Sequence, residues 1–271
     1  MQVQGKIMPF DEDTAVTCIS PGQYTCDISP NHWIVAGPNG GYLAALLTQA
    51  GVAHLEDPSR QLRSLTVHYL RPPKQGTANI EVAVEQLGRS VAYVRLKMTQ
   101  NGKPILLATG AWGGEREGIE LTTWSLPKAA PLDECDKIGL VRKGPSLAIH
   151  KEWDIRNASN ISFGGEGPMD MTWWIRPAIH RPLDGAMIVA MADALPPPIF
   201  ATTSVPMAVP TVDLTVHIRA MLAKATWNPG DWILTRFTTR HASGGYLEED
   251  GELWTADGTL LAHSRQLALC T

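Results

Sequence analysis

Asp193, Thr211 and Gln266 are polar residues set in stretches that otherwise read as core. Asp193 follows Gly185–Ala192, an apolar run with no other ionisable group. A carboxylate carried into such surroundings costs roughly several kcal/mol or takes up a proton. It could act as a general base or cap the loop that begins at Pro196-Pro197-Pro198, and its position alone fits both. Gln266 falls in the alternating series Leu260, Ala262, Ser264, Gln266, and an inward amide needs a hydrogen-bond partner. By itself it could be an internal clasp or part of a site. Thr211 opens a strand after Val209-Pro210, where a threonine is ordinarily structural. Gly40 and Gly41 stand where a helix begins. Their N–H groups, unshielded by side chains, could receive a developing oxyanion, or the pair could serve tight helix packing.

Other chemistries leave no mark. The chain has no G-x-S-x-G, no G-x-x-x-x-G-K-[ST] and no G-x-G-x-x-G. Its eight histidines form no H-x-H or H-E-x-x-H spacing, and Cys18, Cys26, Cys135 and Cys270 form no C-x-x-C pair. We therefore expect reduced thiols, no metal and no cofactor. With 44% hydrophobic and 18% charged residues and a net charge of −4, the 271-residue chain has ordinary globular composition, and nothing favours nucleic-acid capture. The apolar stretches Gly40–Ala53 and Gly185–Phe200 are too short for a membrane span, and the N-terminus lacks a signal-peptide pattern. A cytoplasmic location is the expectation.

The elements that must position these residues occur twice. Asn39 is a plausible N-cap for a helix over about Gly40–Val52, and Asp184 for one over about Gly185–Leu195. Four strand-like runs follow the first helix: Leu62–Leu70, Thr77–Leu87, Val91–Gln100 and Pro104–Trp112. Four more follow the second: Thr211–Arg219, Asp231–His241, Gly245–Thr255 and Thr259–Leu269. Asn101-Gly102 and Asp257-Gly258 are hairpin turns at similar places. Leu65-Thr66-Val67-His68 is repeated as Leu214-Thr215-Val216-His217, and Leu106-Leu107-Ala108 as Leu260-Leu261-Ala262. Further strand-like sequence, Ile149–Ile155 and Asp170–Ile175, precedes the second helix. Both helices are apolar around most of their circumference, so each should be buried. A buried helix wrapped by an antiparallel sheet is a hotdog. The expected architecture is an α+β double hotdog, with repeats over 1–120 and 148–271 and a connector over 121–147.

The order of several short motifs resembles the acyl-CoA thioesterase II family and its thioesterase-like relatives. In the first half these are Gly40-Gly41, His68-Tyr69-Leu70-Arg71-Pro72 and Asn101-Gly102-Lys103-Pro104-Ile105. In the second they are Trp174-Ile175-Arg176, Ala192-Asp193, Thr211-Val212-Asp213 and Gln266. The resemblance implies hydrolysis of acyl-CoA by a water that Asp193, Thr211 and Gln266 activate, with no acyl-enzyme. Asp193 would accept the proton, while Thr211 and Gln266 hold the water. Gly40 and Gly41 would be the oxyanion donors.

Laying Gly41 on Gly185 puts Gln49 opposite Asp193, and the strand matches put Leu62 opposite Thr211 and Trp112 opposite Gln266. One active site per chain follows. A homodimer or higher homo-oligomer is expected from the fold by analogy. Two other readings stay open: a non-catalytic acyl-thioester-binding protein, and another hotdog enzyme such as an enoyl-thioester hydratase. The second generally needs a histidine on the helix, and here only His54 comes near one.

Overall fold

The computed structural model describes residues 9–35, 37–137, 147–159, 161 and 163–270. Part of the connector, 138–146, lies outside them. A short helix α1 (Pro9–Asp13) and strands β1 (Thr17–Ser20) and β2 (Gln23–Ile28) lead to α2 (Gly40–Leu55). Then come β3 (Gln61–Tyr69), β4 (Gly76–Leu87), β5 (Val91–Gln100) and β6 (Lys103–Gly113). After β7 (Asp136–Lys137), the second half runs β8 (Trp153–Asn157), β9 (Asp170–Pro177), α3 (Gly185–Met191) and β10 (Thr211–Ile218). It ends with β11 (Ile233–Thr238), β12 (Ala242–Ser243), β13 (Tyr246–Thr255) and β14 (Leu260–Leu269).

Thirteen of these strands form one antiparallel sheet, in the order β1-β2-β4-β5-β6-β3-β10-β14-β13-β11-β9-β8-β7, and β12 pairs with β13. The order reads as two similar halves joined at β3 and β10. There Leu65 faces Val216, Thr66 faces Thr215 and Val67 faces Leu214. That is the pattern a two-fold axis through the two threonines would give, and their hydroxyls lie 3.0 Å apart. The repeated tetrapeptide is thus the joint of the molecule. The fold is a double hotdog, and no described helix is long and apolar enough to cross a membrane.

The helices are buried for the reason their composition gives. Leu43, Leu46, Leu47 and Ala50 of α2 and Met187, Ile188 and Met191 of α3 all lie in one hydrophobic core. Full burial of a large aliphatic side chain is worth roughly 1.5–3 kcal/mol. Both expected caps form: Asn39 Oδ1 accepts from Tyr42 N at 3.0 Å, and Asp184 Oδ1 accepts from Met187 N at 2.8 Å. The two helices pack head to tail, the start of α2 against the end of α3. A Cβ on Gly41 would meet Ala190 O at 2.8 Å, and one on Gly185 would meet Thr48 Cγ2 at 3.7 Å.

Several expectations are corrected. α3 ends at Met191, so Asp193 stands beyond the helix rather than on it. Ala192 is the C-cap, its N–H reaching Ile188 O, and the prolines from Pro196 onwards bar any continuation past Leu195. Residues 149–151 belong to a 3-10 turn, Ala148–Lys151, and β8 begins only at Trp153. Matching the two caps puts Thr48, not Gln49, opposite Asp193, because the Gly40-Gly41 pair offers two places to start counting. In the sheet, Leu65 faces Gly110 while Leu214 faces Gln266, so Gly110 rather than Trp112 is the counterpart of Gln266. A slide of two residues leaves every side chain on its own face, so an apolar match cannot detect it.

Candidate active site

The N-terminus of α2 is closed by a residue from the other repeat. Gly41 N donates to Asp193 Oδ2 at 2.8 Å, and Asn39 Nδ2 donates to the same oxygen at 3.1 Å. Asn39 Nδ2 also reaches the Asp193 carbonyl at 2.6 Å. One asparagine therefore caps its own helix through Oδ1 and clamps the facing aspartate through Nδ2. Only glycine permits this approach. A Cβ at Gly40 would lie 2.9 Å from Asp193 Oδ2, and one at Gly41 would lie 2.9 Å from Asp193 Cβ.

Burial pushes the Asp193 carboxyl up to about 6, and the amides of Gly41, Asn39 and Gly40 restrain that rise. These donors and the helix dipole favour the charge that burial opposes. The Gly41 amide, expected to be free for an oxyanion, is engaged by Asp193 here. Tyr69, at the end of β3, donates to the Gly40 carbonyl at 2.9 Å, and its ring is within 3.1 Å of where a Gly40 Cβ would stand. Burial and the nearby Asp193 charge hold the Tyr69 hydroxyl well above its ordinary range.

Thr211 and Gln266 meet directly: the threonine hydroxyl donates to Gln266 Oε1 at 3.1 Å. A bulge makes this possible. Leu214, Val216 and Ile218 face the core, so strict alternation would turn Thr211 outward. The register shifts between Thr211 and Asp213, which places Thr211 opposite Ala268, two residues from Gln266 on the same buried face. An extra residue in one strand re-aims the side chains beyond it. The first repeat carries the same irregularity between Leu62 and Ser64.

Neither Thr211 nor Gln266 hydrogen-bonds to Asp193. A residue the sequence reading missed, Glu249 on β13, is linked to both Gln266 and Asp193: it accepts from the first and feels the charge of the second. Gln266 Nε2 donates to Glu249 Oε1 at 2.7 Å. Glu249 is 3% exposed. Burial, together with the Asp193 charge, raises its carboxyl to about 8. The signal was present in the alternation Leu247, Glu249, Gly251, Leu253, which is the buried face of β13. The acidic run Glu248-Glu249-Asp250 disguised it as surface.

The corresponding place in the first repeat is apolar. Leu62 stands for Thr211, Gly110 for Gln266, and Val94, opposite Gly110 on β5, for Glu249. The fully buried indole of Trp112 covers it, and a Cβ on either Gly51 or Gly110 would collide with that ring.

A separate cluster joins Asp13, His32 and Glu152, whose ligand-type atoms lie within 4.8 Å of one another. His32 Nε2 is 3.1 Å from Asp13 Oδ2, and the ring stacks on Tyr42 at 4.1 Å. These contacts tie the N-terminal segment to α2. His54 lies near the far end of α2, about 21 Å along the helix from Gly40, and bonds Tyr24 through Nδ1 at 3.3 Å.

Comparison with known proteins agrees with this architecture. Residues 29–113 match the acyl-CoA thioesterase N-terminal domain and residues 128–270 the acyl-CoA thioesterase C-terminal domain. A hotdog protein of unknown function from Alicyclobacillus acidocaldarius superposes with a TM-score of 0.89 at 26% identity, covering 98% of this chain and 99% of that one. A candidate thioesterase II from Thermobifida fusca gives a TM-score of 0.80 at 27% identity, covering 97% of each chain. An uncharacterized protein of Mycobacterium tuberculosis is 25% identical over 97% of this chain and 95% of its own length. The chain belongs to the acyl-CoA thioesterase family, in its two-repeat hotdog form.

Proposed function

We propose that the protein hydrolyses acyl-CoA thioesters by direct addition of water at a single site in the second repeat. The observation that carries this reading is Asp193. Its carboxylate is held at Oδ2 by the start of α2, and its proton affinity, about 6, suits a base working near neutrality. Oδ1 makes no hydrogen bond among the described residues, so it is the oxygen that would accept the water's proton. Thr211 gives its own proton to Gln266 and so has lone pairs to accept the water's second hydrogen. Gln266 keeps one amide proton beyond the one it gives Glu249, and this can donate to the water. The water's remaining lone pair would then face the thioester carbonyl carbon.

The negative charge that forms on the carbonyl oxygen needs donors. The amides at the start of α2 supply them at the positive end of a sixteen-residue helix. Of the two, Gly41 N–H is held by Asp193 Oδ2 at 2.8 Å and Gly40 N–H acts on the same carboxylate more weakly, so Gly40 N–H is the freer donor. Collapse of the tetrahedral adduct expels the CoA thiolate and leaves the free acid. The hydratase reading is disfavoured by His54, whose place on α2 is far from Asp193.

The test is free-thiol release from short, medium and long acyl-CoAs by wild type and Asp193→Asn, with circular dichroism as the folding control. The proposal expects turnover by wild type and a loss of about a hundredfold or more in the folded variant. Equal turnover by both would sink the assignment of the base. No turnover by wild type on any chain length would favour the acyl-binding alternative.

A further inference from the structure

Glu249 has no part in the scheme above, yet it is the most deeply buried carboxyl beside it. It faces Gln266 directly in the β13–β14 register. Its Oε1 accepts the Gln266 amide, and its Oε2 is buried with no hydrogen-bond partner. No cation is paired with it among the described residues. Arg240 and Arg265 bind its neighbour Asp250 instead. The fold does not require a carboxyl here, because the equivalent position of the first repeat is the buried Val94. Where Thr211 and Gln266 are replaced by Leu62 and Gly110, Glu249 is replaced too. The three polar groups Thr211, Gln266 and Glu249 have no polar side chain at the matching places of the first repeat.

Gln266 has two ends that could face either way, and its neighbours decide which. We propose that Glu249 is a positioning residue of this site, holding Gln266 Nε2 on its Oε1 so that Gln266 Oε1 takes the Thr211 proton and Thr211 keeps its lone pairs for the attacking water. Without that acceptor, the amide can turn. Its nitrogen would then face Thr211, whose hydroxyl would accept from Gln266 and be free to turn its own proton towards the water, so Thr211 would no longer be held as the water's acceptor. The proposal rests on the hydrolase reading for its consequence in turnover, and on the hydrogen-bond chain alone for its geometry.

The charge state follows from the surroundings. The charges acting on Glu249 are Asp193 beyond the end of α3, and Glu248 and Asp250 beside it on β13. β14 brings only the neutral Gln266 against it. Burial raises both carboxyls, and for Glu249 three negative charges add to it, so the pair divides its roles: Asp193 ionises near 6 and Glu249 stays protonated to about 8. A neutral Glu249 still presents Oε1 as an acceptor.

The experiment compares Glu249→Val and Glu249→Gln across pH 5 to 10. Valine is the residue the fold itself uses at the equivalent place, so the variant should fold, and its thermal midpoint at pH 8 should equal or exceed wild type. Its kcat is expected to fall about tenfold or more, with KM within about twofold. Glutamine keeps an acceptor oxygen, so its kcat near pH 7 should stay within about threefold of wild type. Full kcat in the valine variant, or equal loss in both, overturns the proposal.

The side-chain amide resonance of Gln266, assigned by its loss in Gln266→Ala, provides a readout independent of turnover. It should titrate with Glu249 in wild type and not in Glu249→Gln; an amide that ignores pH in wild type also overturns the proposal. Absence of thiol release by wild type would instead remove the hydrolase reading, and the amide titration would still decide the hydrogen bond.

Discussion

The backbone amide of Gly41 donates to Asp193 Oδ2 across the junction between the two repeats, at 2.8 Å. The bond joins the start of one buried helix to the residue just past the end of the other. It fixes one carboxylate oxygen and leaves the second free. The repeats are therefore not independent halves, since the proposed base of the second is oriented by the cap of the first.

Activity should depend on pH through this carboxylate. The protonated form cannot accept the water's proton, so kcat/KM should rise as pH passes about 6 and then level off. A pH profile of thiol release checks this. A midpoint near the ordinary carboxylate value of 3.8 would mean that Asp193 is not the titrating base.

The same shift makes the base a cost to stability. Asp193 binds its proton more tightly in the folded chain than in the unfolded one. The stability it contributes is fully present below its ordinary range and is lost as pH rises to about 6. Asp193→Asn should therefore melt higher than wild type at pH 7.5, with the gap closing towards pH 4, while its turnover collapses. Calorimetry across that range gives the answer.

Asn39 offers a cleaner perturbation than removal of the base. Asn39→Asp keeps the oxygen that caps Tyr42 N, but replaces the amide donor to Asp193 with a second carboxylate. The helix should stay capped. The acid limb of the activity profile should move above 6, because a like charge and a lost donor both disfavour the ionised Asp193.

The two glycines should separate packing from chemistry. In Gly41→Ala the new methyl meets the Ala190 carbonyl at 2.8 Å, a backbone atom with little room to retreat. We expect a stability loss of about 1–3 kcal/mol together with lost activity. In Gly40→Ala the obstacles are Asp193 Oδ2 and the Tyr69 ring, both on side chains that can shift. Its activity should fall further than its stability. Denaturant melts and thiol-release assays on both variants test the contrast.

Trp112 should matter for stability and hardly at all for catalysis. Its indole fills the first-repeat counterpart of the site, so Trp112→Ala should cost about 3–5 kcal/mol while kcat of the folded protein stays near wild type. Denaturant melts give the first quantity and thiol release by the folded fraction the second. A large fall in kcat would mean that the first repeat also takes part in turnover.

The double hotdog itself was legible from the sequence. Two all-round apolar helices with N-caps at Asn39 and Asp184, each followed by four strand-like runs, leave few other ways to bury so much surface. The tetrapeptide repeat marked the two strands, β3 and β10, that the structure then pairs as the joint, and Asp193, Gln266 and the Gly40-Gly41 pair stood out as polar or bare residues in apolar runs. The roles that resemblance attached to Asp193, Thr211 and Gln266 remain proposals.

Other features depended on contacts between distant segments. Alternation alone would turn Thr211 outward, and only the bulge against β14 turns it in. The occupation of the Gly41 amide and the double use of Asn39 both arise where segments 152 and 154 residues apart in sequence touch. Glu249 looked like one charge in an acidic run, and becomes part of the site because β13 lies beside β14 in register. Local sequence sets periodicity and caps, because these depend on neighbours along the chain. Which polar groups share a buried space is set by packing across it, and no spacing within one segment encodes that.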